Sequence, residues 1–372
     1  MEVICKGNNM CEQPVLFTLK PIVTKDKFIG FIHLNSPKSF NALTLEMIEL
    51  MNYQLPKWIN DDSIVAIFMD GEGDKAFCAG GDVKSLYDSK IETPDGIKNP
   101  QAVKFFDKEY TLDLTLHTFP KPIICWGHGV VMGGGVGLLT ACAHRIVTEK
   151  SRISMPEITI GLYPDVGGSW FLNQMPGRIG LFLGLTGAII NAHDAIYTGV
   201  ASKFINNNLK EIVIQNLLGL SQQQIEHGAI SNMLKIQEIE SINNLPKSEL
   251  KQNFDIINGL TDFENLHGIY NSIINKCKLY NNEWLELAGN TLESGCPMTA
   301  HIVYEQLKIA KYLSLEEIFN MERKISQCCV ERSDFYEGVR ALLIDKDKKP
   351  SWTQNHINEI DSEMINSFFE VF

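Results

Sequence analysis

The residues best suited to chemistry lie between Trp126 and Gly168. Four glycines occur in five positions just before an apolar, helix-compatible segment over 136–142: Gly133, Gly134, Gly135 and Gly137. Glycine has no side chain to keep a ligand away from the backbone, and the start of a helix offers unpartnered N–H groups and a positive dipole. Two carboxylates, Glu157 and Asp165, follow in loop-like sequence, each beside a proline. This combination predicts acyl chemistry, in which N–H groups hold a developing oxyanion while carboxylates attack or move protons.

Other chemistries lack their motifs in this chain. No glycine run continues into the Lys-Ser/Thr pair of a P-loop, a GxGxxG fingerprint fails at Met132, and no GxSxG serine elbow occurs. His128 and His144 are candidate bases, although a lone histidine on an apolar segment is more often a packed residue. No Cys or His cluster has the spacing of zinc ligands, so we expect no metal.

Strand–loop–helix units are expected to position these loops. The apolar patterns predict strands over 28–34, 64–69, 123–126 and 146–148, and helices over 45–60, 83–87, 102–117, 136–142, 167–174, 296–313 and 314–328. Thr44 should cap the first helix and Pro56 should kink or divide it. Residues 88–100 are polar and are expected to form a mobile loop, whereas 205–260 read as helices joined by polar loops.

Length and charge limit the possible classes of protein. The 372 residues exceed what one hydrophobic core usually supports, and the composition changes at about Phe204, so we expect a core domain over 1–204 and a mainly helical region over 205–372. A net charge of −12 argues against nucleic acid as a general partner. No apolar run approaches the ~18 residues of a membrane span, so no membrane partner is expected.

The cysteines and the N-terminal stretch indicate in which cellular compartment the protein is expected. The nine cysteines are odd in number and scattered, without a CxxC pair, which favours reduced thiols in a cytosol-like compartment. The N-terminal stretch MEVICKGNNMCEQ lacks the apolar core of a secretory signal and the Arg-rich character of a transit peptide. A bacterial cytosol, or the mitochondrial matrix in a eukaryote, is therefore expected.

Four segments resemble the successive signatures of the crotonase (enoyl-CoA hydratase/isomerase) superfamily. They are Lys38-Ser-Phe-Asn-Ala-Leu43, Ala76-Phe-Cys-Ala-Gly-Gly-Asp82, Met132-Gly-Gly-Gly-Val-Gly137 and the segment from Met155 to Gly168. The Pro-Asp-Val-Gly-Gly turn and a distal segment, Asp334 to Trp352, resemble the branch that hydrolyses short, branched 3-hydroxyacyl-CoA thioesters in valine catabolism. The resemblance runs from about Leu16 to Trp352 and is weakest over 205–295. It implies an α/β fold, with a crotonase-like (ClpP/crotonase) ββα-repeat spiral core and a mainly helical C-terminal extension.

The resemblance also implies roles for single residues. The two N–H groups that bind the thioester oxygen in the superfamily fall on Ala79 and Gly134. The acidic pair of the hydrolase branch falls on Glu157 and Asp165, and a substrate-contacting glutamate falls on Glu109. The remaining substrate contacts, which include the place of the coenzyme A nucleotide, fall on Lys38, Ala42, Gly80 and Asp82.

One departure separates the two activities of the superfamily. Hydratases use two glutamates, one directly after the Gly-Gly-Gly-x run and one at the Pro-Glu site. Here the first position is Gly137, and Asp165 stands where hydratases usually have glycine. We therefore expect thioester hydrolysis, with Glu157 either attacking the carbonyl to form a mixed anhydride or activating water as a general base. Acids grouped this closely should include at least one with a raised pKa.

Two alternatives remain at this stage. One is a crotonase-type hydratase or isomerase, and the other is a non-catalytic acyl-CoA-binding or assembly protein, against which the presence of both acids argues. The expected partner is an acyl-CoA substrate, with no separate cofactor because coenzyme A belongs to the substrate. A homo-oligomer is also expected, since crotonase relatives often form trimers or hexamers.

Overall fold

The computed structural model describes residues 13–91 and 99–369. Within these ranges the strands are β1 (Val15–Pro21), β2 (Phe28–Leu34), β3 (Ile64–Gly71), β4 (Ala76–Cys78), β5 (Ile123–Gly127), β6 (Val130–Met132), β7 (His144–Val147), β8 (Arg152–Ser154) and β9 (Lys203–Phe204). The α-helices are α1 (Leu45–Ile59), α2 (Val83–Ile91), α3 (Pro100–His117), α4 (Gly134–Thr140), α5 (Gly168–Asn173), α6 (Ile179–Thr186), α7 (Ala192–Thr198), α8 (Lys210–Leu218), α9 (Gln222–Glu226), α10 (Ala229–Ser241), α11 (Glu249–Gln252), α12 (Phe254–Thr261), α13 (Leu266–Lys276), α14 (Glu283–Ser294), α15 (Pro297–Ala310), α16 (Leu315–Val330), α17 (Ser333–Val339) and α18 (Ser362–Phe369). The N-terminal stretch assessed for a targeting signal lies outside the described residues, apart from its last residue.

Six strands form the main sheet in the order β1-β2-β3-β5-β7-β9. β1 runs antiparallel to β2, and the other neighbours in the sheet pair in parallel. β3 is buried along nearly its whole length, as its unbroken apolar sequence predicts for a strand covered on both faces. A second sheet has the order β4-β6-β8, and its parallel pair β4 and β6 precedes the two glycine-bearing loops.

The chain divides into two compact units. Unit 1 consists of Met1–Gly81, Thr111–Ile153 and Ile190–Ser248, and unit 2 consists of Asp82–Tyr110, Ser154–Ile189 and Glu249–Phe372. Unit 1 contains the main sheet, whose residues Phe68 of β3 and Trp126 of β5 form one apolar cluster with residues of α8 and α10. After β9, every element of the described range is a helix, so the helical C-terminal region is confirmed. The domain boundary at residues 204 and 205 stays a prediction.

Most predicted elements are confirmed, whereas a division of α1 at Pro56 and part of the loop expected over 88–100 are not observed. Pro56 does not divide α1, because it lies in the last turn, where a missing N–H removes a single backbone hydrogen bond. The expected mobile loop over 88–100 is wrong where α2 continues to Ile91 and α3 begins at Pro100. The buried side chain of Asn99 donates to Ser89 Oγ at 2.9 Å and so ties the two helix ends together. Residues 92–98 of that segment are not among those described.

The distal segment of unit 2 packs directly on the turn that carries Glu157. This turn is a 3-10 helix, Glu157–Ile160, followed by Gly161 in the left-handed region with φ of 66°. A Cβ on Gly161 would lie 2.6 Å from the carbonyl carbon of Asp334, and a Cβ on Gly338 would lie 2.5 Å from the Cα of Ile160. Glycine is thus required at both positions, since the two backbones touch without side chains between them.

We expect Gly338→Ala to destabilise the protein by about 1–3 kcal/mol, because the added methyl group must displace the backbone of Ile160. Gly259→Ala in α12 is the matched control: its Cβ meets nothing within 4 Å, so it should be neutral or slightly stabilising. Urea unfolding followed by circular dichroism measures both variants. Equal midpoints for the two variants would contradict the close backbone contact.

Candidate active site

The two glycine-bearing loops of unit 1 meet backbone to backbone. Parallel pairing of β4 with β6 brings the 79–81 loop beside the start of α4. A Cβ on Gly80 would lie 3.1 Å from the carbonyl oxygen of Met132 and 3.6 Å from the nitrogen of Gly134, and a Cβ on Gly135 would lie 2.3 Å from the oxygen of Cys78. These glycines are therefore needed for the close approach of the two loops, and the amide of Gly134 lies at the point where they meet.

The amide of Ala79 already has a partner in this conformation. Its N–H donates to the carbonyl oxygen of Phe40 at 3.0 Å. Phe40 and Asn41 are both in the left-handed region with φ of 56°, and Asn41 is anchored because its side chain donates to the carbonyl of Ala76 at 3.0 Å. A ligand oxygen bound at Ala79 must therefore share or replace the Phe40 carbonyl.

The other predicted substrate contacts lie in different settings. Lys38 is exposed in a short 3-10 turn, Pro37–Ser39, and Ala42 is half-buried after it. Asp82 accepts a hydrogen bond from the backbone N–H of Ser85 at 3.2 Å, so it caps the start of α2. A cap is a sufficient structural reason for an aspartate there. The ligand roles of these residues stay predictions.

The structure brings the three predicted acids together in unit 2. Glu109 lies on α3, Glu157 begins its 3-10 turn, and Asp165 lies in the loop before α5; all three side chains are buried. Oε2 of Glu157 has no hydrogen-bond partner among the described residues. A buried carboxylate oxygen without a donor is free to bind a ligand atom or a proton.

The pKa values of all three acids are raised. Burial raises the pKa of Asp165 to about 7, although the Tyr110 hydroxyl, which donates to its Oδ2 at 2.6 Å, acts in the opposite direction. Burial, reinforced by repulsion from Asp165, raises the pKa values of Glu157 and Glu109 well above 4.5. This agrees with the expectation of at least one raised pKa, because a charge removed from water is disfavoured and like charges oppose each other.

The turn after Asp165 is strained. Val166 has φ of 51° and Gly167 has φ of 83°. A β-branched residue in the left-handed region is costly and persists only when its surroundings hold it there. The amide of Gly168 donates to the Asp165 carbonyl at 2.6 Å, which closes the turn.

Three residues that the sequence did not indicate hold this turn or its acid, directly or through a neighbouring side chain. Tyr110 hydrogen-bonds Asp165, and Glu322 and Ser326 on α16 are fully buried beside it. One signal was available: both α16 residues fall on the stripe of buried Ile318 and Ile325, where a polar side chain needs a partner.

The two histidines have the properties of packed residues. His128 is buried, its Nε2 donates to the carbonyl of Gly73 at 2.7 Å, and burial lowers its pKa. Burial also lowers the pKa of His144 to about 4. Both rings are therefore neutral at pH 7 and are weak bases.

Comparison with known proteins assigns the family. The family model described as enoyl-CoA hydratase/isomerase matches residues 29–369. One similar crystal structure is that of an enoyl-CoA hydratase from Rhodobacter sphaeroides 2.4.1, with a TM-score of 0.79, 29% identity and coverage of 96% of this chain and 97% of that chain. Another is that of a carnitinyl-CoA dehydratase from Mycobacterium thermoresistibile, with a TM-score of 0.82, 28% identity and coverage of 96% of both chains. The chain therefore belongs to the enoyl-CoA hydratase/isomerase (crotonase) family, which confirms the expected fold.

Two relatives that match over most of this chain are named as a hydrolase. The chain is 35% identical over 350 residues to the protein named 3-hydroxyisobutyryl-CoA hydrolase, mitochondrial, from Homo sapiens, with coverage of 94% of this chain and 88% of the relative. The protein of the same name from Danio rerio is 35% identical over 341 residues, with coverage of 91% and 86%. Membership of the family implies an acyl-CoA substrate, whereas the homo-oligomer stays a prediction. In the described ranges, no helix has the length and apolar character to cross a membrane.

Asp165→Asn should stabilise the protein in a pH-dependent way. Because the pKa of Asp165 rises from 3.8 to about 7 on folding, the wild-type protein loses stability as pH rises between these values, and the variant does not. The difference should be small near pH 4 and reach on the order of 1–4 kcal/mol above pH 7. Thermal unfolding across pH measures it, with Asp255→Asn on the exposed face of α12 as the control. A difference that does not change with pH would show that the Asp165 carboxyl is not shifted.

Proposed function

We propose that this chain hydrolyses the thioester of 3-hydroxyisobutyryl-CoA, giving 3-hydroxyisobutyrate and coenzyme A. The observation that supports this most strongly is the buried acid group, with Glu157 and Asp165 carrying raised pKa values. Gly137 occupies the position at which hydratases of the superfamily place their first glutamate. The names of the human and zebrafish relatives agree with hydrolysis.

In this mechanism the thioester oxygen accepts hydrogen bonds from the amides of Ala79 and Gly134. The negative charge that develops on this oxygen is stabilised by donors that are fixed in place before the reaction. The amide of Ala79 exchanges its bond to the Phe40 carbonyl for the bond to substrate. Lys38 and Ala42 contact the coenzyme A moiety, and Gly80 and Asp82 border the loop that receives the acyl group.

Glu157 supplies the reacting carboxylate. It either attacks the thioester carbon, so that the C–S bond breaks and a mixed anhydride is hydrolysed afterwards, or it takes a proton from the water that attacks. Asp165 then moves the remaining proton, either from water or to the leaving thiolate, for which a pKa of about 7 is well suited. Glu109 contacts the 3-hydroxyl group of the substrate.

The compartment is part of the proposal. The cysteines of the described ranges are all free thiols, which suits a reducing compartment. We propose the cytosol for a bacterial protein and the mitochondrial matrix for a eukaryotic one.

A thiol-release assay over a panel of short acyl-CoAs tests this function. The wild-type protein should release coenzyme A most efficiently from 3-hydroxyisobutyryl-CoA. Glu157→Gln should lose nearly all of this activity, since an amide can neither attack nor accept the proton, while calorimetry still detects coenzyme A binding. Glu293→Gln, at an exposed position on α14, is the control and should keep full turnover.

Crotonyl-CoA in the same panel distinguishes hydration. A hydratase would remove the absorbance of the conjugated double bond without releasing thiol, and that result would replace hydrolysis by the alternative activity. Full thiol release by Glu157→Gln would instead place the nucleophile or base on another residue.

A further inference from the structure

Two buried polar side chains of α16 stand one turn apart in the interior of unit 2. Glu322 and Ser326 are both fully buried. A glutamate in such a place is rare and needs donors that compensate for its lost hydration. The donors that it has lie in the turn after Asp165.

Glu322 holds the backbone of this turn. Its Oε2 accepts from the amide of Gly167 at 2.8 Å, and its Oε1 accepts from the amide of Ser169 at 3.0 Å. These two N–H groups directly follow the strained Val166 and begin α5, where backbone donors lack intrahelical partners. A single carboxylate from α16 thus fixes the backbone directly after Val166.

Ser326 acts on the Asp165 side chain through Tyr110. The hydroxyl groups of Ser326 and Tyr110 are hydrogen-bonded, and Tyr110 donates to Asp165 Oδ2 at 2.6 Å. Because an ionised carboxylate only accepts, the single hydroxyl proton of Tyr110 points to Asp165, and Ser326 must donate to Tyr110. Tyr163 packs beside this pair: its hydroxyl donates to the Glu322 carbonyl at 2.5 Å and lies 2.9 Å from Ser326 Oγ, without a proton left for a bond between the two hydroxyl groups.

We infer that Glu322 and Ser326 are positioning residues for Asp165: Glu322 fixes the backbone of its turn, and Ser326 orients the Tyr110 hydroxyl that donates to its carboxylate. This inference rests on the proposed function, in which Asp165 moves a proton. The chain of hydroxyl groups favours the ionised form of Asp165, in opposition to its burial.

Other titratable groups surround Asp165 and affect its pKa. They face it from α3, from the Glu157 turn, from its own loop and from α16: Glu109, Tyr110, Glu157, Tyr163, Glu322 and Cys329. A variant that removes one hydroxyl group leaves the charges of all these groups unchanged, which makes hydroxyl deletions the cleanest test.

The test measures the ionisation of Asp165 directly. In protein labelled with 13C at the aspartate carboxyl carbons, the resonance absent from Asp165→Asn identifies Asp165. Tyr110→Phe should move its titration to higher pH by about one unit, and Ser326→Ala should move it in the same direction by less, because each removes stabilisation of the ionised form. Tyr312→Phe, at a residue that is 88% exposed, is the control and should leave the titration unchanged.

Hydrolysis of 3-hydroxyisobutyryl-CoA provides the second readout. In Tyr110→Phe and Ser326→Ala, the limb of the kcat profile that belongs to Asp165 should move to higher pH with little change in KM. In Glu322→Gln, the side-chain NH2 group replaces one of the two oxygens that accept from backbone N–H groups, so one hydrogen bond to the turn is lost. We therefore expect kcat to fall by about tenfold across the pH profile. Should Glu322→Gln fail to fold, the two hydroxyl deletions decide alone.

Different results would contradict the proposed hydrolysis and the positioning roles of Glu322 and Ser326. Absence of thiol release by the wild-type protein would overturn the proposed function, and the carboxyl titration would still test the inference. If the wild-type protein hydrolyses the substrate and Asp165→Asn does not, but Tyr110→Phe and Ser326→Ala leave both the titration and kcat unchanged, the inference is overturned and the proposed function stands.

Discussion

The structure of unit 2 depends on how it accommodates carboxyl groups that folding removes from water. Glu109, Glu157, Asp165 and Glu322 are all at most 5% exposed. Burial favours their neutral forms, and repulsion between neighbouring acids adds to this effect. Local donors oppose it for three of the four: Tyr110 for Asp165, the amides of Gly167 and Ser169 for Glu322, and a backbone hydrogen bond for Glu157. Oε2 of Glu157, the carboxylate to which we assign the reaction, has no hydrogen-bond partner among the described residues.

Distant parts of the chain supply the groups that hold these acids in place. The turn of Glu157 is packed against the backbone of the distal segment at Gly338, and the turn of Asp165 is anchored by Glu322 of α16. Strain at Val166 is thereby compensated by hydrogen bonds made from a helix more than 150 residues later in the sequence. The helical C-terminal region therefore has a structural function for the acids themselves, beyond adding bulk to the fold.

Local signals explain what could be predicted from the sequence. The strand over 28–34 is observed residue for residue, and the Thr44 side chain caps α1 by accepting from the Met47 amide at 3.2 Å, because apolar runs and capping act over a few residues. The meeting of the 79–81 loop with Gly134 followed from the glycine spacing and the family resemblance. Non-local contacts account for what was missed. The hydrogen bond from Ala79 to Phe40, the buried Asn99 that ends the expected loop, and the roles of Tyr110, Glu322 and Ser326 all depend on the tertiary structure.

The pH dependence of kcat/KM for hydrolysis of 3-hydroxyisobutyryl-CoA tests the central claim most directly. Since the reacting carboxylate of Glu157 must be ionised and its pKa is raised well above 4.5 by burial, activity should rise with pH and reach half its maximum well above pH 4.5. A profile that is already at its maximum near pH 5 would show that the reacting acid is not the buried one, and it would contradict this account.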